Sequence, residues 1–196
     1  MEIQVPKVKS LGMRPFSVRV MPHVPGACVM LSLGSVVDFA GDVVVNAANT
    51  GCLGGGGVDG AISAAGGKAM AEARQALPVL DKRMKRCDTG DAKVTTGGSL
   101  KARWCVHAVG PNYRVLEGIG GSCADGDALL RSAYLAAMQR SQEVKAATIG
   151  FSLLSAGIFR GSRPLVEVLA IGLEAVETGA YPGLEAVHLV AFTDKE

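Results

Sequence analysis

The segment Asp42-Val-Val-Val-Asn-Ala-Ala48 most restricts the folds open to this chain. Its apolar residues do not alternate with polar ones. As a strand it must be covered on both faces, which requires helices above and below its sheet. Strand-like and helix-like segments alternate along the rest of the sequence. "ACVMLSLGS" reads as a strand stopped by Gly34, "AKVTTG" and "RWCVHAVG" as two more, and "AATIGFSLL" and "EAVHLVAFT" as the last two. "VDGAISAAGGKAMAEARQAL" predicts one helix, or two broken at Gly66-Gly67, with "VLDKRMKRC" continuing helically to Cys87. From Asp125, Leu129, Leu130, Ala133, Tyr134, Ala137 and Met138 recur at helical spacing, and Leu165, Val168, Leu169, Gly172, Leu173 and Val176 mark a further helix. The alternation predicts an α/β fold of three layers, α/β/α, around a central mixed or mostly parallel sheet.

Residues 1–27, with Pro6, Pro15, Pro22 and Pro25, read as an irregular lead-in in which "FSVRV" can supply a short edge strand. Residues 28–196 read as one domain, with enough chain for a substantial core. "EGIGGSCADGD" reads as a mobile loop and "DKRMKR" as a solvated helix face. A net charge of +2 and 5% aromatic residues, with no basic stripe interleaved with aromatics, argue against sequence-specific nucleic-acid binding. Five cysteines without a CxxC pair, and three histidines, give no zinc-ligand spacing. Isolated thiols, no bilayer-length apolar run and no signal-peptide core predict a soluble intracellular protein, cytoplasmic or nuclear rather than secreted.

Chemistry concentrates at two strand ends. "GGGGVD" (Gly54–Asp59) and "SAGIFRG" (Ser155–Gly161) each follow a strand and lead toward a helix. Without Cβ atoms, backbone N–H groups can converge on one point, and the following helix N-terminus favours an anion. Two such turns on neighbouring strands predict a clamp for a diphosphate. Neither turn carries the lysine of a Walker loop, and Asp59 would repel a diphosphate set as in a dinucleotide fold. Asn49 and Asp59 bracket the first turn. An amide and a carboxylate suit ribose hydroxyls, or a water beside an anomeric carbon; Asp59 as a simple helix cap is the plainer alternative.

These residues resemble a known family. "VVNAAN…LGGGGVDGAI…AAGG", "CDTGDAKVTTGGSL", "WCVHAVGPNY" and "LLSAGIFRGS", in that order, are similar to the motifs of macrodomains, the ADP-ribose-binding α/β/α fold, over Leu33 to Phe192. The branch resembled is the one that removes mono-ADP-ribose from acidic side chains and deacetylates O-acetyl-ADP-ribose. The resemblance implies that Gly55, Gly56, Gly57 and Val58 form one wall of a diphosphate site and Ser155, Gly157, Ile158 and Phe159 the other. It implies that Asn49 contacts the distal ribose, that Asp59 orients that ribose and the attacking water, and that Phe192 lies against adenine. A core role for Phe192 is the alternative. It implies no metal and no cofactor; the partners would be ADP-ribose or an ADP-ribosylated protein, with no membrane.

Three positions depart from the family pattern. Ser35 stands where an acid would meet the adenine amine, exchanging a charged acceptor for a neutral one. Ser63 stands where the hydrolase branch often has histidine, and serine is no general base near neutral pH without a partner. Arg160 stands where glycine is usual; it could meet phosphate, close over the site, or be a solvated loop residue. A non-catalytic ADP-ribose reader is therefore the rival expectation, and a pocket turned to another nucleotide the third. His107 and Cys52 are expected in a packed strand and at an exposed turn respectively.

Overall fold

The computed structural model describes residues 10–192. Seven strands form one sheet: β1 (Arg14–Val20), β2 (Cys28–Leu33), β3 (Val43–Ala47), β4 (Ala92–Thr96), β5 (Trp104–Ala108), β6 (Thr148–Ser152) and β7 (Ala186–Ala191), in the order β1-β2-β7-β6-β3-β5-β4. The five central strands run parallel, and β1 and β4 pair antiparallel at the two edges. The sheet is therefore mixed, as expected. Residues 1–9, with Pro6, lie outside the described residues; the described part of the lead-in supplies the edge strand β1, continuous with the same sheet.

The valine run explains the layering. Strand side chains alternate between faces. Val43 and Val45 enter the core built with α3 (Cys123–Glu143) and α4 (Leu165–Thr178), where Leu130, Ala133, Tyr134, Ala137 and Val168 lie. Val44 enters the opposite core with Phe39, and with Ile62 and Met70 of α1 (Gly57–Gln75). All three valines are fully buried, each removing roughly 1.5–3 kcal/mol worth of apolar surface from water.

One helical boundary falls where expected and the others do not. α1 is two helical segments joined at Gly67, whose φ of 65° and ψ of −160° break the helix as the glycine pair predicted. The expected continuation to Cys87 is absent, because Pro78 cannot supply a helical N–H and the Asp81 carboxylate accepts instead from the backbone N–H groups of Arg83 and Lys85, holding a turn. The glycine-rich segment read as a mobile loop is mostly ordered into α2 (Tyr113–Gly118) and the start of α3. Ser122 and Asp125 form a reciprocal capping box, so α3 begins two residues before Asp125. Among the described residues no helix is long and apolar enough to cross a membrane.

Candidate functional site

Strands β3 and β6 are parallel neighbours, with Val43 opposite Ile149 and Val45 opposite Phe151. Their carboxyl ends therefore deliver the two glycine turns side by side, in the crevice where open α/β sheets hold ligands. Both turns line one cavity of about 560 Å³. Gly55, Gly56, Gly57, Val58 and Asp59 come from one side, Ser155, Gly157, Ile158 and Phe159 from the other, with Asn49 ahead of the first turn. Gly57 has φ 59°, a left-handed conformation that glycine adopts without strain, as the chain enters α1. Ser155 is also left-handed, at φ 55°, and its hydroxyl donates to the Pro111 carbonyl at 2.7 Å, fixing the second turn to the end of β5.

A second cavity, about 480 Å³, adjoins the first and shares Gly57, Val58, Leu153 and Gly157 with it. Ser35 and Phe192 lie on its walls. Phe192 is 71% exposed, so it is a rim residue and not a core aromatic. The Ser35 hydroxyl makes no cap bond to the short helical turn that follows it. Neither Asp38 nor Asp42 lines this cavity: Asp38 pairs with Lys101 at 3.1 Å, and one Asp42 oxygen accepts from the backbone of Ala147 and Thr148 and from the Thr148 hydroxyl, each at 2.9 Å.

At the other end of the first cavity, Asn49 and Asp59 converge on Gly55. A Cβ built on Gly55 would lie 3.1 Å from Asp59 Oδ2 and 3.2 Å from Asn49 Nδ2, so any side chain there would press on both. Asn49 holds its own turn, donating to the Gly54 carbonyl at 2.9 Å and accepting from the Gly51 N–H at 3.0 Å. One amide hydrogen and one lone pair remain. Asp59 is not the helix cap: Gly56 is the cap, without a side-chain bond. Its Oδ1 accepts from Asn46 Nδ2 and Arg74 Nη2, each at 2.8 Å, while its Oδ2 has no protein partner.

Around Asp59 lies a buried polar network that sequence reading did not assemble. Asn46 is fully buried on β3 and also meets His107 Nδ1 at 3.2 Å. His107 Nε2 meets the Thr95 hydroxyl at 2.8 Å. Burial first, then the Arg74 charge, pushes the His107 pKa down to about 3, so the ring is neutral and structural, as its strand position suggested. Ser63 does not line the cavity. Its hydroxyl donates to the Asp59 carbonyl and accepts from Arg74 Nη1, both at 2.7 Å. Cys52, expected at an exposed turn, is instead fully buried against Cys87 and Val109. Arg160 is half-buried, and Nη1 donates to the Arg163 carbonyl at 2.8 Å, so it bonds within its own loop.

The Macro domain model matches residues 45–170, the stretch carrying both turns and the strands that aim them. This chain belongs to the Macro domain family. A macro domain-containing protein of Caldanaerobacter subterraneus subsp. tengcongensis is 36% identical over 86% of this chain and 90% of its own length. The O-acetyl-ADP-ribose deacetylase of Escherichia fergusonii is 37% identical over 70% of this chain and 73% of its own. The Oceanobacillus iheyensis macrodomain, solved with ADP, superposes with a TM-score of 0.77 at 26% identity, covering 91% of this chain and 89% of that one.

Proposed function

We propose that this chain binds ADP-ribose and hydrolyses its esters, releasing mono-ADP-ribose from acidic side chains, deacetylating O-acetyl-ADP-ribose, or both. Adenosine would occupy the cavity bounded by Ser35 and Phe192, and the diphosphate would lie between the two glycine turns. That the Oceanobacillus iheyensis relative was solved with ADP supports a nucleoside diphosphate as the ligand. The distal ribose would then fall at the end bounded by Asn49 and Asp59. The observation that carries the hydrolase reading is Asp59 Oδ2, a buried carboxylate oxygen without a protein partner beside the Asn49 amide. An unmatched buried acceptor of this kind costs about 1–3 kcal/mol or more, and a ribose hydroxyl or an attacking water would satisfy it.

Most of the rate would come from positioning and from the amide-lined turns, with Asp59 orienting the water. The activity named for the Escherichia fergusonii relative supports this chemistry. One observation favours a reader instead: Ser63 is engaged with Arg74 and Asp59 and offers no base to the cavity. Turnover of glutamate-linked mono-ADP-ribosylated protein and of O-acetyl-ADP-ribose separates the two. Release by the wild type that vanishes in Asp59→Ala is the expected result; tight binding of ADP-ribose without any release would leave the reader.

A further inference from the structure

Asp59 and Arg74 are fifteen residues apart in α1, a spacing that a straight helix would stretch to about 22 Å. Their side chains are 2.8 Å apart. The kink at Gly67 makes this possible, because it turns the second half of α1 off the axis of the first. The Arg74 guanidinium is thereby carried in behind Asp59, where it is 2% exposed.

All three of its nitrogens are committed there. Nη2 donates to Asp59 Oδ1, Nη1 to the Ser63 hydroxyl, and Nε to the Cys52 carbonyl. The Ser63 hydroxyl donates a hydrogen bond to the Asp59 backbone carbonyl, which closes a ring of bonds around one turn of helix. Cys52 belongs to the turn begun by Asn49, since its backbone N–H donates to the Asn49 carbonyl at 3.1 Å. One rigid fork therefore grips both ends of the Asn49–Asp59 pair. It holds Asp59 directly and Asn49 through the 49–52 turn. With Oδ1 bonded by both Asn46 and Arg74, the carboxylate cannot rotate without breaking two charge-assisted bonds, so Oδ2 stays beside Gly55. Arg74 itself does not line the cavity.

From this we infer that Arg74, with Ser63 as its relay, is the positioning residue that makes the pocket prefer a nucleoside diphosphate bearing a second sugar over the bare diphosphate. The serine has a role of its own here: it is short enough to sit between the guanidinium and the helix backbone. The inference rests on the ADP-ribose reading of the cavity.

Calorimetry with ADP-ribose and with ADP tests it, on the wild type and on Arg74→Gln, Arg74→Lys and Ser63→Ala, each with its melting temperature. ADP reports the diphosphate and adenosine regions; the ratio of the two affinities reports the sugar end alone. In Arg74→Gln the ADP-ribose affinity should fall about tenfold, the loss of one charge-assisted bond, with ADP changed less than about twofold. Arg74→Lys, which keeps the charge but not the fork, should restore part of the ratio, and Ser63→Ala should lower it about threefold. Parallel losses for both ligands would make Arg74 merely structural and overturn the inference. So would a ratio unchanged in Arg74→Lys and Ser63→Ala, which decide the matter should Arg74→Gln fail to fold. A wild type that binds ADP and ADP-ribose alike would overturn the ADP-ribose reading itself; a wild-type preference that survives these substitutions overturns only the part given to Arg74.

Discussion

Gly56 has φ −89° and ψ 180°, a conformation open to any residue, and a Cβ there would meet no atom within 4 Å. Folding alone therefore gives little reason for glycine at this position. Alanine is a poorer helix cap by a few tenths of a kcal/mol or more, while the stiffer unfolded chain returns about 0.4–1 kcal/mol. The two effects nearly cancel. Gly56→Ala is expected to keep its melting temperature within about 3 °C and yet to weaken ADP and ADP-ribose together by at least about tenfold, because the methyl group would occupy space that the phosphates need. Calorimetry beside thermal denaturation checks this, and unchanged affinity for both would remove Gly56 from the diphosphate site. This glycine was legible in the sequence, since four in a row exceed what a strand–helix junction requires. Arg74 and Asn46 were not. Their contact with Asp59 depends on where and how α1 bends and on which face of β3 Asn46 takes, and both are facts of packing rather than of spacing.

The kink in α1 shows how far an element can be read from its residues. Gly66-Gly67 announced a break, and the break is there, but nothing in the dipeptide gave its angle. The φ and ψ at Gly67 fall in a region that is essentially glycine-only, so Gly67→Ala should cost about 1–3 kcal/mol. A Cβ would also lie 3.3 Å from the Ser99 hydroxyl oxygen. For a chain of this length, the melting temperature should drop by roughly 2–12 °C. Because the same kink delivers Arg74, the variant should also lose preference for ADP-ribose over ADP. A stable Gly67→Ala that keeps this preference would show that the kink is not what aims the guanidinium. The misread stretch after α1 has a different cause. Its residues are good helix formers, but Pro78 and the Asp81 side chain offer the backbone a competing turn, and propensity alone does not register that competition.

On the scale of the whole molecule, the site and the fold share one hydrogen-bond chain, and it gives stability a pH dependence. The Thr95 hydroxyl donates to the Thr96 carbonyl, so its oxygen is left to accept from His107 Nε2–H. His107 Nδ1 must then accept from Asn46 Nδ2, whose amide also donates to Asp59. A second proton on the ring would sit on Nδ1, facing the Asn46 amide hydrogens inside a fully buried layer between β3 and β5. Burial and this geometry act in the same direction, and the ring's pKa falls from 6.5 to about 3. As pH falls through about 6.5 the unfolded chain takes up a proton on this histidine, whereas the folded chain takes one up only near pH 3. Between those values unfolding consumes a proton, so the folded state weakens as pH falls. At 1.36 kcal/mol per pH unit, the loss from this group between neutrality and pH 5 is about 2 kcal/mol. Urea denaturation at pH 7.5 and pH 5 should show that loss in the wild type and lack it in His107→Gln, which keeps a neutral polar group opposite Thr95. The carboxylates and the other histidines are common to both proteins and cancel in the comparison. Equal losses in the two would mean that His107 does not hold its proton off in the folded state. The link from Thr95 to Asp59 would then have to be drawn with a different donor at each step.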